Sequence, residues 1–352
     1  AAKPGKVGPR HGHLDASRPT LPALSMNLFD RWRPIRRPLA PTEPVLRWLV
    51  LQQGPNPSTD YYIRPRAEAS GCPVVYRHLD LDVPTSADLR PGTRVVVVRY
   101  LNPAWAEALR RHQSQLAGIV YFMDDELLDA QVWQGLPPAY RQKLQRYCGR
   151  MHRALAELAT EYWGSTAPLC ERHADRGMQL MPPLPLAEDA GRVPIAPVPG
   201  EPVQIFYHGT AVHIDEMRWL RPVIAEVLSA CPLAHFEVIG DHEVNRLFRD
   251  LPRTRVLHPM SWPNYLSHCR AMRGHIGLAP LLLGVFNAGR SCTKVFDIQR
   301  AAARGVFSDL APYGPDGVQA SEGKCWPMLQ DAWVQALCEL SCLQECPSSG
   351  SA

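Results

Sequence analysis

The segment SCTKVFDIQRAAARGVFSD, Ser291 to Asp309, holds the residue types and spacing best suited to chemistry. Ser291, Cys292 and Thr293 offer an alcohol-bearing cap for a helix start. Lys294 and Asp297 fall three apart in its first turns, and Ala301 to Ala303 give a small, packable end before a short strand at Gly305 to Asp309. A helix start with free N–H groups, a positive dipole end and a lysine suits a diphosphate, and a carboxylate one turn on can accept hydrogen bonds from ribose hydroxyls. Taken alone, the same residues suit equally a helix on a sheet whose Lys294 and Asp297 form an ordinary i, i+3 pair.

The elements that must position this segment follow from hydrophobic patterning. From Arg47 onward, short apolar runs alternate with longer amphipathic ones, the signature of parallel βαβ units. In a first set, buried strands are expected near Leu49, near Val75, at Val95 to Val98 and at Ile119 to Phe122, separated by helices over Tyr61 to Ala69, Ala104 to Gln115 and Ala139 to Leu158. EYWGSTAPLCERH adds a strand, a capped turn and a short helix, and MQLMPPLPL closes the set. Between Ala187 and Pro202, proline, glycine and small residues exclude a regular element and mark a linker. The second set opens with VQIFYHG at Val203 to Gly209. A helix follows with Ile214, Met217, Leu220, Ile224 and Val227 on one face, which Pro222 should kink or delimit. Strands at Phe236 to Gly240, Val256 and Ile276 come next, and the strand after Lys294 completes the sheet. The expectation is α/β: a tail over 1–45, Rossmann-like domains over 46–187 and 202–335, a linker over 188–201 and a terminal helix and tail over 336–352.

Composition narrows the class. A chain of 352 residues with 20% charged and 45% apolar residues has room for two cores, and a formal charge of +4 is too mild to argue for nucleic acid. Ten cysteines without a C-x2-C pair read as reduced thiols, with Cys338, Cys342 and Cys346 sharing a helical face, rather than as disulfides or zinc ligands. No apolar run approaches the roughly 20 residues a membrane span needs. Met26 is a plausible initiator. Leu28, Phe29 and Trp32 interleave with Arg31, Arg33, Arg36 and Arg37, a pattern suited to a solvated tail or to peripheral contact with an anionic membrane.

Lys294, Val295, Phe296, Asp297 and the Ser308-Asp309 strand end resemble the donor-site region of retaining GT-B glycosyltransferases. HIGLAPLLLGVFNAGRS is similar to that family's sugar-binding strand and loop, YHGTAVH to the opening of its nucleotide-binding domain, and YWGSTAPLCERH with MQLMPPLP to the end of its first domain. The resemblance implies two Rossmann-like domains facing across a cleft. It implies a transferase moving a sugar from a nucleotide-sugar to a glycan or lipid-linked hydroxyl acceptor, in bacterial surface polysaccharide synthesis, in the cytoplasm or at the inner membrane. Donor binding would fall to Gly209, Thr210, Asn287, Arg290, Ser291, Thr293, Lys294 and Asp297. Two departures stand out. The first of the family's two donor-site glutamates falls on Gly289, with Asn287 as a substitute, and the arginine and lysine that commonly follow the domain's first strand are missing, with His213 nearby. Phosphate charge would then come from Lys294, Arg290 or both.

Other candidates come from position. Asp124 and Asp125, with Glu126, follow a strand at its carboxyl end, where open α/β sheets bind ligands, and could orient or deprotonate a hydroxyl; they suit helix capping as well. His213 and His208 flank the Gly209 turn and suit a catalytic or a structural role. Gly54 and Ser58 are placed to meet an acceptor, Arg99 to meet an anionic acceptor or to form an ordinary surface ion pair, Ser58 or Thr59 to cap a helix, and Tyr61 and Tyr62 to stack on sugar or to pack. With side chains and amides facing the diphosphate, and no acidic motif of metal-ligand spacing nearby, no metal or other cofactor is required. Neither opening turn reads G-x-G-x-x-G, which argues against a dinucleotide oxidoreductase. A catalytically inactive binding or accessory subunit on the same fold is the alternative. Neither Lys294 nor Asp297 is expected to fill the core.

Overall fold

The computed structural model describes residues 44–314 and 322–342. The expectations placed on Met26, the basic stretch through Arg37, Cys346 and the side chain of Cys342 lie outside these residues. Twelve strands form two six-stranded sheets, parallel throughout. The first has the order β2-β1-β3-β4-β5-β6, with β1 Arg47–Gln52, β2 Val74–His78, β3 Thr93–Val98, β4 Gly118–Met123, β5 Glu161–Gly164 and β6 Gln179–Leu180. The second runs β12-β11-β10-β7-β8-β9, with β7 Val203–His208, β8 Ala234–Ile239, β9 Thr254–Leu257, β10 Ile276–Ala279, β11 Arg304–Ser308 and β12 Gly323–Trp326. These are two Rossmann-like domains facing across a cleft, the GT-B arrangement.

Both faces of each sheet are buried, which is why the strands read as continuous apolar runs. In the first sheet Leu49, Leu51, Val95, Val97, Ile119 and Tyr121 enter one core, and Trp48, Val50, Val96, Val98, Val120 and Phe122 enter the other. The second sheet divides likewise, with Ile205, Tyr207, Phe236, Val238 and Val306 on one side and Phe206, Ala279 and Phe307 on the other.

Several local expectations change. The helix expected over Ala139 to Leu158 is broken into Pro138–Leu144, a π-helical turn Gln145–Gly149 and His152–Leu158. Pro222 lies inside one helix, Ile214–Ala230, and does not start it. The strand after Lys294 is not the sheet edge: GKCW pairs outside it as β12. The Lys294 helix stops at Arg300, with Ala302 turning left-handed at φ +52°, so Ala301 to Ala303 are its exit and not its interior. Thr293 makes no side-chain cap, and Ser58 makes none either; Asn56 Oδ1 accepts from the Thr59 amide instead, at 2.9 Å. The linker holds one 3-10 turn, Ala187–Asp189.

That turn matters because it delivers Asp189 to a buried guanidinium. Arg300 is fully buried; its Nε donates to Asp189 Oδ2 at 2.6 Å, Nη1 to Asp297 Oδ1 at 2.9 Å and Nη2 to the Tyr61 hydroxyl at 2.8 Å. The Tyr61 hydroxyl in turn donates to Asp297 Oδ1 at 2.6 Å. First domain, linker and second domain meet in this one cluster. Around it, the Trp262 indole donates to Asp60 Oδ2 at 2.7 Å, and the Tyr62 hydroxyl donates to Ser291 Oγ. Tyr61 and Tyr62 therefore pack and hydrogen-bond between domains, and are not free to stack on sugar. Asp297 is a core residue after all, 8% exposed.

Removing one partner of a buried, hydrogen-bonded ion pair leaves the others uncompensated, at a cost of about 3–5 kcal/mol. Arg300→Ala should lower unfolding free energy by about that much in urea titration, whereas Arg153→Ala, which breaks an exposed pair with Glu157, should change it by less than about 1 kcal/mol. A loss of under about 1 kcal/mol for Arg300→Ala would show that the cluster does not hold the domains.

Candidate functional site

In open α/β sheets, ligands bind beyond the carboxyl ends of the strands, where the strand order reverses. In this chain those points lie between β1 and β3 and between β7 and β10, and both open onto the same cleft. A cavity of about 820 Å³ fills it. The first domain contributes Ser58 from the loop after β1, Arg99 and Tyr100 from the end of β3, and Asp124 and Asp125 from the end of β4. Gly209, Thr210 and His213 follow β7, and Arg290, Ser291, Thr293, Lys294 and Asp297 lie beyond β10. Trp262 and Tyr265 line it from the helix Trp262–Ala271.

On the second-domain wall Arg290 is the notable cation. Its Nη1 donates to His213 Nε2 at 2.7 Å, while Nε and Nη2 are buried without a partner. Burial, and then the Arg290 charge, push His213 down to about 4, so the ring is neutral at pH 7 and can accept. Its Nδ1 lies 3.7 Å from Glu216 Oε2. Burial alone would raise Glu216, but His213 and Arg290 more than offset it and leave it at about 2. Glu216 Oε1 accepts from Asn287 Nδ2 at 2.8 Å. The relay engages two residues expected at the site. The Nε2 of His213, expected to be catalytic, accepts from Arg290. Asn287 does not line the cavity and holds Glu216 instead of a sugar.

Lys294 donates to the His208 carbonyl and sits 3.8 Å from Asp297 Oδ2. Burial draws its pKa down, against the pull of Asp297. The Asp297 Oδ1 expected to meet ribose is occupied by Tyr61 and Arg300, which leaves Oδ2 toward Lys294. Thr166 Oγ1 donates to the Gly289 carbonyl at 3.0 Å, and a Cβ at Gly289 would stand 2.9 Å from Leu169 Cδ2. No carboxylate fits at that position without displacing Leu169.

On the first-domain wall Arg99, in a left-handed conformation at φ +66°, is clasped between two carboxylates: Nη1 lies 3.1 Å from Asp124 Oδ1 and Nη2 lies 2.8 Å from Asp125 Oδ2. Of the two readings of Arg99, the structure shows the ion pair, part-buried within the first domain. Ser58 Oγ donates to Asp124 Oδ2 at 2.7 Å. Burial raises Asp124 despite Arg99. Asp125 is burdened by the same burial but held low by Arg99, with Arg290 and His213 adding to it. Glu126 turns away, accepting from His173 Nε2 at 2.9 Å. Gly54, at φ +73°, shapes the loop by offering its carbonyl to Asn56 and does not line the cavity.

Sequence spacing gave no hint of a trio on the second domain. His208 Nε2 and His268 Nε2 lie 3.1 and 2.7 Å from Glu237 Oε1, and the three ligand-type atoms fall within 4.8 Å of one another. The residues are far apart in sequence, so only sheet pairing and the helix Trp262–Ala271 bring them together. Arg300, Glu216 and Trp262 were missed for the same reason.

No family model matches the chain, and no curated protein matches it. Among solved structures, an α,α-trehalose 6-phosphate synthase from Burkholderia multivorans aligns at TM-score 0.47 and 10% identity, over 84% of this chain and 89% of that one. A Listeria monocytogenes protein described as a UDP-N-acetylglucosamine 2-epimerase aligns at 0.46 and 12%, over 84% and 88%. An E. coli trehalose-6-phosphate structure bound with UDP-2-fluoro glucose aligns at 0.46 and 12%, over 70% and 65%. The chain thus spans just under two thirds of that E. coli protein's length. Among the described residues no helix is long and apolar enough to cross a membrane.

A histidine whose pKa falls from 6.5 unfolded to about 4 folded contributes stability that is complete above pH 6.5 and is lost as pH drops toward 4, because the unfolded chain binds the proton first. The swing is roughly 3 kcal/mol. His213→Gln keeps an acceptor for Arg290 but cannot titrate. Between pH 6.5 and 4, wild type should therefore lose roughly 3 kcal/mol more unfolding free energy than the variant. Parallel curves in denaturant titrations would show that His213 is not held neutral.

Proposed function

We propose that this chain is a glycosyltransferase that holds the diphosphate of a nucleotide-sugar against Arg290 and Lys294 and passes the sugar to a hydroxyl presented at the Ser58, Asp124 and Asp125 wall. The observation that carries this is Arg290: a guanidinium aimed at the cavity, fixed by a neutral histidine, with two buried N–H positions left unpartnered. Unpaired buried donors are costly unless a ligand completes them, and a diphosphate supplies acceptors of the right charge. Sugar departure places positive charge on the sugar and negative charge on the diphosphate, so preorganised cations beside the leaving group lower the barrier. Of the two carboxylates, Asp124, raised by burial, is the stronger base toward an acceptor hydroxyl. Metal-independent transfer with retention, and a bacterial surface glycan or lipid-linked acceptor met in the cytoplasm or at the inner membrane, belong to the same proposal and rest on the sequence resemblance.

A second proposal is favoured by a specific observation. Gly289 is packed against Leu169, and Asn287 is bound to Glu216, so the sugar end of the donor site has neither the family's first glutamate nor a free substitute. A binding or accessory subunit that holds a nucleotide-sugar without transferring it fits that end better. A donor-hydrolysis assay with UDP-, GDP- and dTDP-sugars, after a thermal-shift screen of the same compounds, separates the two.

Arg290→Ala and Lys294→Ala should each weaken nucleoside diphosphate binding by about 1.5–3 kcal/mol, the range for hydrogen bonds to charged groups, and Lys294→Ala should also slow transfer. Calorimetry on the folded variants checks this, and unchanged affinity in both would refute the donor site. Asp297→Ala is a poor probe, because it also leaves Arg300 short of a counter-charge.

Transfer should proceed in EDTA at the rate seen without it. Activity abolished by EDTA and restored by manganese would overturn metal independence and direct attention to His208, Glu237 and His268.

A further inference from the structure

The first-domain wall carries one cation that no carboxylate on that wall contacts directly. Asp124 and Asp125 offset Arg99. Lys143, in the last turn of the helix Pro138–Leu144, also lines the cavity, yet among the described residues no carboxylate lies within 4.0 Å of it. Its Nζ rests 4.4 Å from the centroid of the Tyr100 ring, and Arg99 lies over the same ring at 5.5 Å. A cation–π contact is a weak partner for a partly desolvated ammonium, worth about 0.5–2 kcal/mol. Asp80 is the carboxylate that faces Lys143 at longer range, but its oxygens are engaged by the Tyr147 hydroxyl and Gln53 Nε2. Tyr140, three residues earlier on the same helix, brings its hydroxyl to Arg99 Nη2 at 2.7 Å. The Tyr100 and Tyr140 hydroxyls are also hydrogen-bonded to each other, so the pair has one O–H left to donate.

We infer that Lys143, with Tyr100 and Tyr140, forms a second anion site at the acceptor end of the cleft, and that the acceptor carries a phosphate monoester beside the hydroxyl that reacts. A phosphate there completes the ammonium and accepts from the one phenol O–H that the Tyr100–Tyr140 pair leaves free. The carboxylates at Asp124 and Asp125 face the acceptor's hydroxyl from the neighbouring strand end, so the wall reads a hydroxyl and an anion together. The acceptor's identity as substrate rests on the proposed transferase activity; the anion site does not.

The test is calorimetry on the full chain with inorganic phosphate and with glycerol 3-phosphate, using glycerol as the uncharged control. Working in an Arg290→Gln background keeps phosphate from being counted on the second-domain wall. Phosphate and glycerol 3-phosphate should bind this background, glycerol should not, and adding Lys143→Ala should weaken binding at least tenfold. Lys143→Arg should restore part of the affinity, and Lys143→Gln, chosen to preserve the helix, should match Lys143→Ala at an unchanged melting temperature. Absence of phosphate binding in the background, or equal binding with Lys143→Gln, would overturn the site. Titration of UDP into the wild type and the Arg290→Gln chain is read separately: if UDP affinity does not depend on Arg290, the donor-site proposal fails while the Lys143 site stands.

Discussion

The buried guanidinium of Arg300 is the constraint on which the rest of this molecule depends. A fully desolvated charge is tolerable only where hydrogen-bonding partners surround it, and its partners come from three places in the chain: Tyr61 after β1, Asp189 in the linker and Asp297 on its own helix. Because Tyr61 and Trp262 also flank its plane at 5.7 and 5.6 Å, the cluster is aromatic as well as ionic. Phe286, Trp262 and Phe296 of the second domain also pack on the first domain's cores, and this cluster adds the buried charged contact that joins the two.

The site inherits its geometry from that setting. Tyr61 and Tyr62 reach Asp297 and Ser291 from the opposite domain, so the segment beginning at Ser291 is held from both sides. A separate relay, from Asn287 through Glu216 and His213, aims Arg290 at the cavity. Charge is thus distributed unevenly around the cleft. Arg300 has all three of its guanidinium nitrogens hydrogen-bonded and Arg99 is paired with Asp124 and Asp125, whereas Arg290 keeps two buried nitrogens without a hydrogen-bond partner.

The contrast between Arg99 and Arg290 shows why residue type alone is a poor guide to a binding role. Both are arginines, one directly after β3 and the other at the end of the long loop after β10, and both line the same cavity. One is enclosed by adjacent carboxylates at the end of the next strand, and the other, beside the His213 imidazole and over the Phe286 ring, has no carboxylate within 4.0 Å among the described residues. A low-dielectric pocket amplifies that difference, since an unpaired buried donor is far costlier than a paired one.

The sequence by itself determined the strands and their grouping into two parallel sets. Runs such as Val95 to Val98 have to be buried on both faces, and that demand is written in local composition. It also marked the carboxyl ends of strands at Asp124, Gly209 and the loop before Lys294 as ligand-facing, because parallel topology puts them on one side. It did not reveal β12, whose four residues carry no periodicity, nor the early end of the Lys294 helix. Tertiary structure alone decided which polar groups are spent and which are free. Asp297 was legible as a carboxylate one turn into a helix, but its capture by Tyr61 and Arg300 depends on residues more than two hundred positions away in one case. His213 was legible as a histidine by a turn, but its neutrality depends first on burial in the folded cleft and then on Arg290 arriving from beyond β10. Hydrophobic burial is encoded by near neighbours in sequence, whereas the charge and hydrogen bonding of a site are set by distances that only the folded chain creates.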